Sequence, residues 1–447
     1  MVRRKLIVLS AVVALILLGR VALAEIPEGP RAVLPQEAQA AHLGVASCAS
    51  SVCHGKAEAS STRRVWLTEF RIWQVRDPHA TAYDTLLSQE SAVIAQKLGL
   101  EDAFTAEVCL DCHSDNVAVE RRGQRFQLSD GVGCEACHGG SEDWISSHTR
   151  DGTPYTENLN RGMYPAAAPE AKAALCLSCH LGNSSKFASH DIMGAGHPQL
   201  LFELSSFSAN QPMHYAIDAD YIERKGDYTA TDDWLHGMGE AAIATLDLLR
   251  DAPFDADSIF PELALYQCDG CHKKTDQSSR GVSYRQSMFP SGSVRLNDTV
   301  IRLFLDIAAT LDVDGASFAL KRLDELVLAA GMKRQDLAST QRALAETLAD
   351  VRQALVGRTL SRADLLRVRE RFLILATSEK ASYFSYSFNL FLTVSHLNAE
   401  LNDGLLSDDD IAAWFRTVEF ESSYSPKEFV TVAAVLLQRV QLEGSHW

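Results

Sequence analysis

Beyond residue 271 the chain contains no cysteine, and after its first two dozen residues it contains no apolar run long enough to cross a bilayer. Basic residues are in deficit, with 42 Lys and Arg against 58 Asp and Glu and a formal net charge of −16. This balance argues against nucleic acid and anionic membrane surfaces as partners, because both repel an acidic chain. The region after about Gly292 is also poor in glycine and offers no motif for nucleotide, metal or nucleophilic chemistry.

What is present begins at the N-terminus. Met1-Val-Arg-Arg-Lys5 is followed by 13 apolar or small residues, Leu6–Leu18, and then by Ala22-Leu-Ala24 ahead of Glu25. A basic flank, a short apolar core and an A-x-A site make a secretory signal peptide over residues 1–24, hence export to the periplasm. The alternative is an uncleaved anchor, against which stand the short core and the interruption at Arg20. Arg3-Arg4 lacks the rest of a twin-arginine signal. Cleavage removes four basic residues and no acid, which takes the net charge from −16 to −20.

All ten cysteines fall between residues 48 and 271, in five pairs. Four have C-x-x-C-H spacing: Cys109/Cys112/His113, Cys134/Cys137/His138, Cys176/Cys179/His180 and Cys268/Cys271/His272. The fifth is wider, Cys48-Ala-Ser-Ser-Val-Cys53-His54. C-x-x-C-H is the c-type haem attachment signature: two thiols on one turn reach the two vinyl groups of a porphyrin, and the next residue sets an imidazole beneath the iron. A disulfide framework, zinc ribbons and thioredoxin-like pairs are the competing readings. None requires histidine after each second cysteine, and with 14 histidines in 447 residues five such coincidences are rarer than roughly one in ten million. For Cys48/Cys53 a local disulfide with an incidental His54 is the alternative to a fifth haem c.

Five histidines are thereby proximal iron ligands and nine remain. His79, His148, His190, His197 and His214 are the candidate distal ligands, because each follows a motif and most lie in Gly- or Pro-rich surroundings that let backbone approach a flat macrocycle. His236 is a reserve, and Met193 and Met213 are thioether substitutes. His42, His396 and His446 read as ordinary surface or core residues.

Trp73…Asp77-Pro-His79-Ala, Gly131-Val-Gly-Cys134-Glu-Ala-Cys137-His138-Gly and Met193-Gly-Ala-Gly-His197-Pro-Gln-Leu-Leu-Phe-Glu203 resemble the multihaem cytochrome c-554 family, over about residues 45–290. The resemblance implies mostly bis-histidine haems that relay electrons out of nitrogen-oxidising enzymes. Founding members carry four haems, one without a sixth side-chain ligand. This chain departs in its fifth motif, its widened first motif and its long cysteine-free C-terminal region.

The expected fold is mainly α: a multihaem cytochrome c domain over residues 25–290, with short helices and loops around stacked haems, then a C-terminal helical bundle over 291–447. From Cys48 to His272 there are 45 residues per haem, so cofactors form much of that core and electron hopping between them follows. Residues 232–250 have helical periodicity and are expected to pack on the haem domain. Apolar spacing of i, i+3, i+4 predicts helices near 297–311, 315–330, 335–356, 361–377, 379–400, 408–420 and 426–442. Ser407…Asp410 and Ser425-Pro426…Glu428 read as helix starts. The aromatic helix at 379–400 reads as a central bundle helix, or else as a surface for dimerisation or for covering a haem edge. The arginines of 362–371 read as a solvated face.

The expected function is periplasmic electron transfer between redox partners, one of which docks through a basic patch, with the C-terminal helices available for a homo-oligomer or a larger complex. The alternative is an oxidoreductase acting on a small nitrogen or sulfur compound at one open haem, as in pentahaem nitrite reductases. Those enzymes bear C-x-x-C-K at the catalytic haem, and no such motif occurs here. Intact-protein mass should report a mature chain from Glu25 with five haems, and Cys53→Ala should then reduce the count to four. A native mass with four haems removes the Cys48/Cys53 assignment.

Overall fold

The computed structural model describes residues 32–60, 65–251, 262–268, 272, 294–331 and 336–444. The expected signal peptide, Cys271, His446 and the joint at Met288–Gly292 lie outside the described residues. Among those described, regular structure is helical, and the only β pairing consists of two isolated bridges, His42 with Arg122 and Tyr266 with Leu296. No described helix is long and apolar enough to cross a membrane.

Helices up to residue 225 are short. Those that carry the argument are α1 (Glu69–Arg76), α2 (Glu107–His113), α3 (Cys134–His138), α4 (Pro169–His180), α5 (His190–Ala195) and α6 (Leu204–Asn210). Glycines with positive φ, such as Gly131, Gly139 and Gly196, turn the chain between them, where a side chain would be strained. The apolar clusters here are small: Leu86, Ala95, Ala103 and Leu110 form one, and Ala173, Leu177, Leu204 and Ala241 another.

From residue 230 the helices lengthen: α7 (Ala230–Asp251), α8 (Thr299–Thr310), α9 (Ala316–Gly331), α10 (Leu337–Val356), α11 (Arg362–Ala376), α12 (Phe384–Leu401), α13 (Asp408–Phe415) and α14 (Pro426–Gly444). Their apolar stripes meet in one large core that includes Trp234, Phe304, Phe372, Trp414 and Phe429. The Ser407/Asp410 and Ser361/Asp364 pairs each close a capping box, and at α14 the Glu428 N–H donates to Ser425 Oγ at 3.5 Å.

Two boundaries differ from expectation. The aromatic helix begins at Phe384 because Tyr383 is extended (φ −97°, ψ 130°) after a 3₁₀ turn over Glu379–Ser382. Tyr424 pins that entry by donating to Ser387 Oγ and the Ala381 carbonyl. Helix α13 stops at Phe415, where the Val418 N–H turns back to the Phe415 carbonyl and buries Val418. Phe420 is then 60% exposed in extended backbone, which a continued helix would not produce. Helix α12 is otherwise central, with both flanks buried.

Helix α7 packs on both halves. Trp234, Leu235, Met238, Ala242, Leu246 and Leu249 face the large core. Its Ala241 joins Leu177 of α4, and Gly237 leaves room for Leu204 of α6, whose Cβ lies only 2.6 Å from where an added methyl group would sit. Residues Leu34–Trp447 accordingly form one compact unit.

Of the α11 arginines, Arg362 and Arg367 are exposed and Arg371 is partly so, as a solvated face requires, and Arg369 is the exception. Arg369 is 0% exposed and forks onto Asp403 at 2.7 and 3.0 Å, Arg362 donates to the Leu401 carbonyl, and Arg371 meets Asp306. Removing one member of a buried pair strands the other charge, at about 3–5 kcal/mol. Asp403→Ala should therefore cost about 3–5 kcal/mol in urea unfolding. Glu157→Ala, which breaks the exposed Arg161 pair, should cost about 0–0.5.

Candidate functional site

The described cysteine motifs close on one local geometry. Helices α2, α3 and α4 each end on the histidine of their motif, so the helix sets the two cysteines three residues apart on one face with the histidine one residue on. The His272 N–H donates to the Cys268 carbonyl at 2.9 Å, the same helical bond. The widened motif reaches it by another route. His54 N–H donates to the Cys48 carbonyl at 3.2 Å, Cys53 N–H donates to Ser50, and the added residues bulge outward with Val52 79% exposed.

The candidate distal histidines come from turns. His79 sits in a 3₁₀ turn capped by Asp77, whose carboxylate accepts the His79 N–H. His148 ends the turn Ile145–His148, and His190 opens α5 behind the N-cap Ser189. His197 follows Gly196, whose φ of 132° turns the chain out of α5. His214 follows Gln211-Pro212.

Each motif histidine faces one candidate distal ring, without duplication. The centroid separations are 6.0 Å for His54/His148, 6.1 Å for His79/His180, 6.3 Å for His113/His197, and 6.2 Å for both His138/His214 and His190/His272. The interplanar angles are 17°, 87°, 85°, 89° and 31° in that order. With roughly 2 Å from a metal to each imidazole nitrogen and about 1.1 Å from nitrogen to ring centre, two rings on one metal stand about 6.2 Å apart. The observed pairs match that spacing and are too far apart for face-to-face stacking.

Four of these rings have their outer nitrogen held. His54 Nδ1 donates to Glu69 Oε2 (2.9 Å) and His79 Nδ1 to Asp77 Oδ1 (2.8 Å). His113 Nδ1 donates to the Ala82 carbonyl (3.1 Å) beside Thr85 Oγ1, and His197 Nδ1 to the Pro198 carbonyl (2.8 Å). A donating Nδ1–H leaves the Nε2 lone pair for a metal. The hydrogen bonds from Glu69 and Asp77 raise the pKa values of His54 and His79, and each carboxyl, although burial opposes it, is held below its usual range by its histidine. Burial lowers His113, His148, His180 and His214 and pushes His138 down to about 3, favouring the neutral ring that metal ligation requires.

The motifs also adjoin one another. Just ahead of the first motif the Leu43 and Gly44 N–H groups donate to Glu135 of the third at 2.8 and 2.7 Å, and Lys186 Nζ donates to both the Asp111 carbonyl of the second motif and Cys179 Sγ of the fourth at 3.1 Å, which brings the first motif to the third and the second to the fourth. A cleft lined by His180, Met193, Phe202, Leu265 and Asn297 lies beside the fourth motif. The nine described cysteines are free of disulfides, and among the described residues no three His, Cys, Asp or Glu side chains converge as a zinc-type cluster.

The remaining histidines stand apart from the pairs. His42 is buried, with Nδ1 2.7 Å from Asp115 and Nε2 3.3 Å from the Pro35 carbonyl. His396 stacks on Trp234, pairs with Ser205 Oγ at 2.9 Å, and is pushed down to about 4 by burial. His236 lies on α7 with its Nδ1 buried and unpartnered, and Met213 is exposed. Sequence reading missed the roles of Glu69 and Asp77. Asp77 had a local signal in Asp-Pro-His, whereas Glu69, 15 residues from His54, had none.

Residues 47–139 match the family described as cytochrome c554 and c-prime. The match covers the first three motifs. No curated protein and no solved structure matches the chain.

Gly131 (φ 68°) guards the His79 turn: a Cβ there would lie 2.7 Å from the His79 carbonyl, which also accepts the Val132 N–H. Gly131→Ala should cost about 1–3 kcal/mol in chemical denaturation and perturb the spectrum of one haem only.

Proposed function

We propose that this chain, a c-type cytochrome of electron transfer similar to the cytochrome c554 and c-prime family, carries five haems and ligates every iron through two histidines. The observation that carries the reading is the one-to-one pairing of five motif histidines with five distal ones at 6.0–6.3 Å. Bound haem supplies the one-electron Fe(III)/Fe(II) couple. The chain's own residues do the rest. Cys48/Cys53, Cys109/Cys112, Cys134/Cys137, Cys176/Cys179 and Cys268/Cys271 tether the porphyrins. His54, His113, His138, His180 and His272 are the proximal ligands, opposed by His148, His197, His214, His79 and His190 respectively. With haem bound, two histidines of the chain would hold each iron and leave none open to a small substrate, so the function is a relay and not turnover.

The adjacency of the first and third motifs, and of the second and fourth, supports short steps for electrons within the chain. The N-terminal segment 1–24 supports export to the periplasm. The acidic mature chain suits a redox partner with a basic docking patch, and the C-terminal helices are the place for a second copy or a larger complex.

EPR and optical spectra of the oxidised protein test the reading. All iron should be low-spin, and the ring planes divide the haems. Parallel imidazoles split the two iron d orbitals that perpendicular imidazoles leave nearly degenerate. Three highly anisotropic signals (His79/His180, His113/His197, His138/His214) and two rhombic ones (His54/His148, His190/His272) are therefore expected. A high-spin ferric signal that shifts with nitrite, hydroxylamine or sulfite would overturn the relay in favour of an enzyme.

A further inference from the structure

The five histidine pairs differ in what holds their outer nitrogens. His113 and His197 both donate to neutral backbone carbonyls, from Ala82 and Pro198. His54 and His79 instead donate to carboxylates, Glu69 and Asp77. Asp77 is buried, and the other partners of its carboxylate are both donors: its Oδ1 also takes the His79 N–H at 3.1 Å, and its Oδ2 takes Gln211 Nε2 at 3.1 Å. Glu69 is similarly held, with Oε1 taking the Leu67 N–H at 3.0 Å. Both carboxylates are thus fixed on the ring and have no cation as counter-charge in these contacts.

We propose that Glu69 and Asp77 are positioning residues that set the His54/His148 and His79/His180 haems at lower reduction potential than the neighbours they adjoin. An anionic acceptor on Nδ1–H makes the imidazole a stronger electron donor through Nε2, which stabilises Fe(III) more than Fe(II). Each redox step is one electron from a protein donor reducing Fe(III) to Fe(II), and the proton stays on Nδ1. The placement gives the effect a direction. The first motif adjoins the third through the backbone bonds to Glu135, and the fourth adjoins the second through Lys186. In each couple one haem has a carboxylate-held histidine. The other, His138/His214 or His113/His197, has none among the hydrogen bonds described, so each couple has a low-potential and a high-potential member.

This inference rests on the bis-histidine reading, and the experiment separates the two. Asp77→Asn keeps an oxygen for His79 and removes the charge, and Gln211 can flip its amide to accept from the new NH₂. Spectroelectrochemical titration of the holoprotein should show one of five one-electron steps moved up by about tenfold in the Fe(III)/Fe(II) preference, which is 59 mV for one electron, with EPR still low-spin. Glu69→Gln should move a different step in the same direction, although its amide cannot serve both His54 and the Leu67 N–H. His79→Ala should turn one haem high-spin and remove the step that Asp77→Asn moves. If His79→Ala leaves all iron low-spin, the ligation and the proposal fall together. If it does turn one haem high-spin while neither Asp77→Asn nor Glu69→Gln shifts any step by as much as twofold, or a step moves down, the proposal alone is overturned.

Discussion

Every functional feature of the first half of this molecule depends on one constraint: two imidazoles must arrive about 6.2 Å apart, with their lone pairs facing, from places far apart in the chain. The paired histidines are separated by 76 residues at the least (His138/His214) and by 101 at the most (His79/His180). Each pairing therefore closes a long loop, and the entropy of closure grows only slowly with that length. The short helices between residues 69 and 225 bury little apolar surface of their own, as their small clusters show. Under the proposed ligation, a covalent tether on one side and a coordination bond on the other would supply what the missing core would otherwise have supplied. In this half the ligand geometry and the fold are the same problem.

The second half solves it for a neighbour by rigidity. Helix α7 presents one face to the large C-terminal core and another to α4, the helix that ends on His180. Lys172 of α4 binds Asp233 of α7 at 2.6 Å, and Arg352 of α10 bridges Glu170 and Glu240. Any slide of α4 along α7 would break these bonds before it carried His180 away from His79. The bundle contributes no cysteine and no ring to the pairs, yet it limits the motion of one of them.

How much of this was legible in the sequence follows from how local each signal is. The seven helices after residue 294 were readable to within a few residues because each buries a stripe that recurs every three or four positions. The two misplaced ends, at Tyr383 and Phe415, depend on tertiary partners: Tyr424 in one case and the burial of Val418 in the other. The motif cysteines and histidines announce themselves by spacing alone. Which distal histidine faces which motif could not be read, because pairing across 76 to 101 residues leaves no periodicity. Arg369 of α11 was misread for the same reason, since Asp403 lies 34 residues from it.

The widened first motif keeps one element of the geometry shared by the C-x-x-C-H helices. A helical C-x-x-C-H brings its histidine N–H back to the carbonyl of the first cysteine four residues earlier. The first motif makes that same bond across six residues, from His54 to Cys48, and lets Ser51 and Val52 stand out into solvent. The number of residues between the cysteines is therefore secondary to closure of that bond, which fixes the imidazole relative to the thiols. Closure without a helix carries a cost in orientation, because no regular turn then holds the ring. Glu69 meets that cost: it sits at the start of α1, is itself anchored by the Leu67 N–H, and grips His54 Nδ1 from outside. Among the four motifs whose residues are all described, the one that lacks a helical frame is also the one whose own histidine is held by a carboxylate. Irregular backbone and charged second partner are two sides of one solution to placing that imidazole.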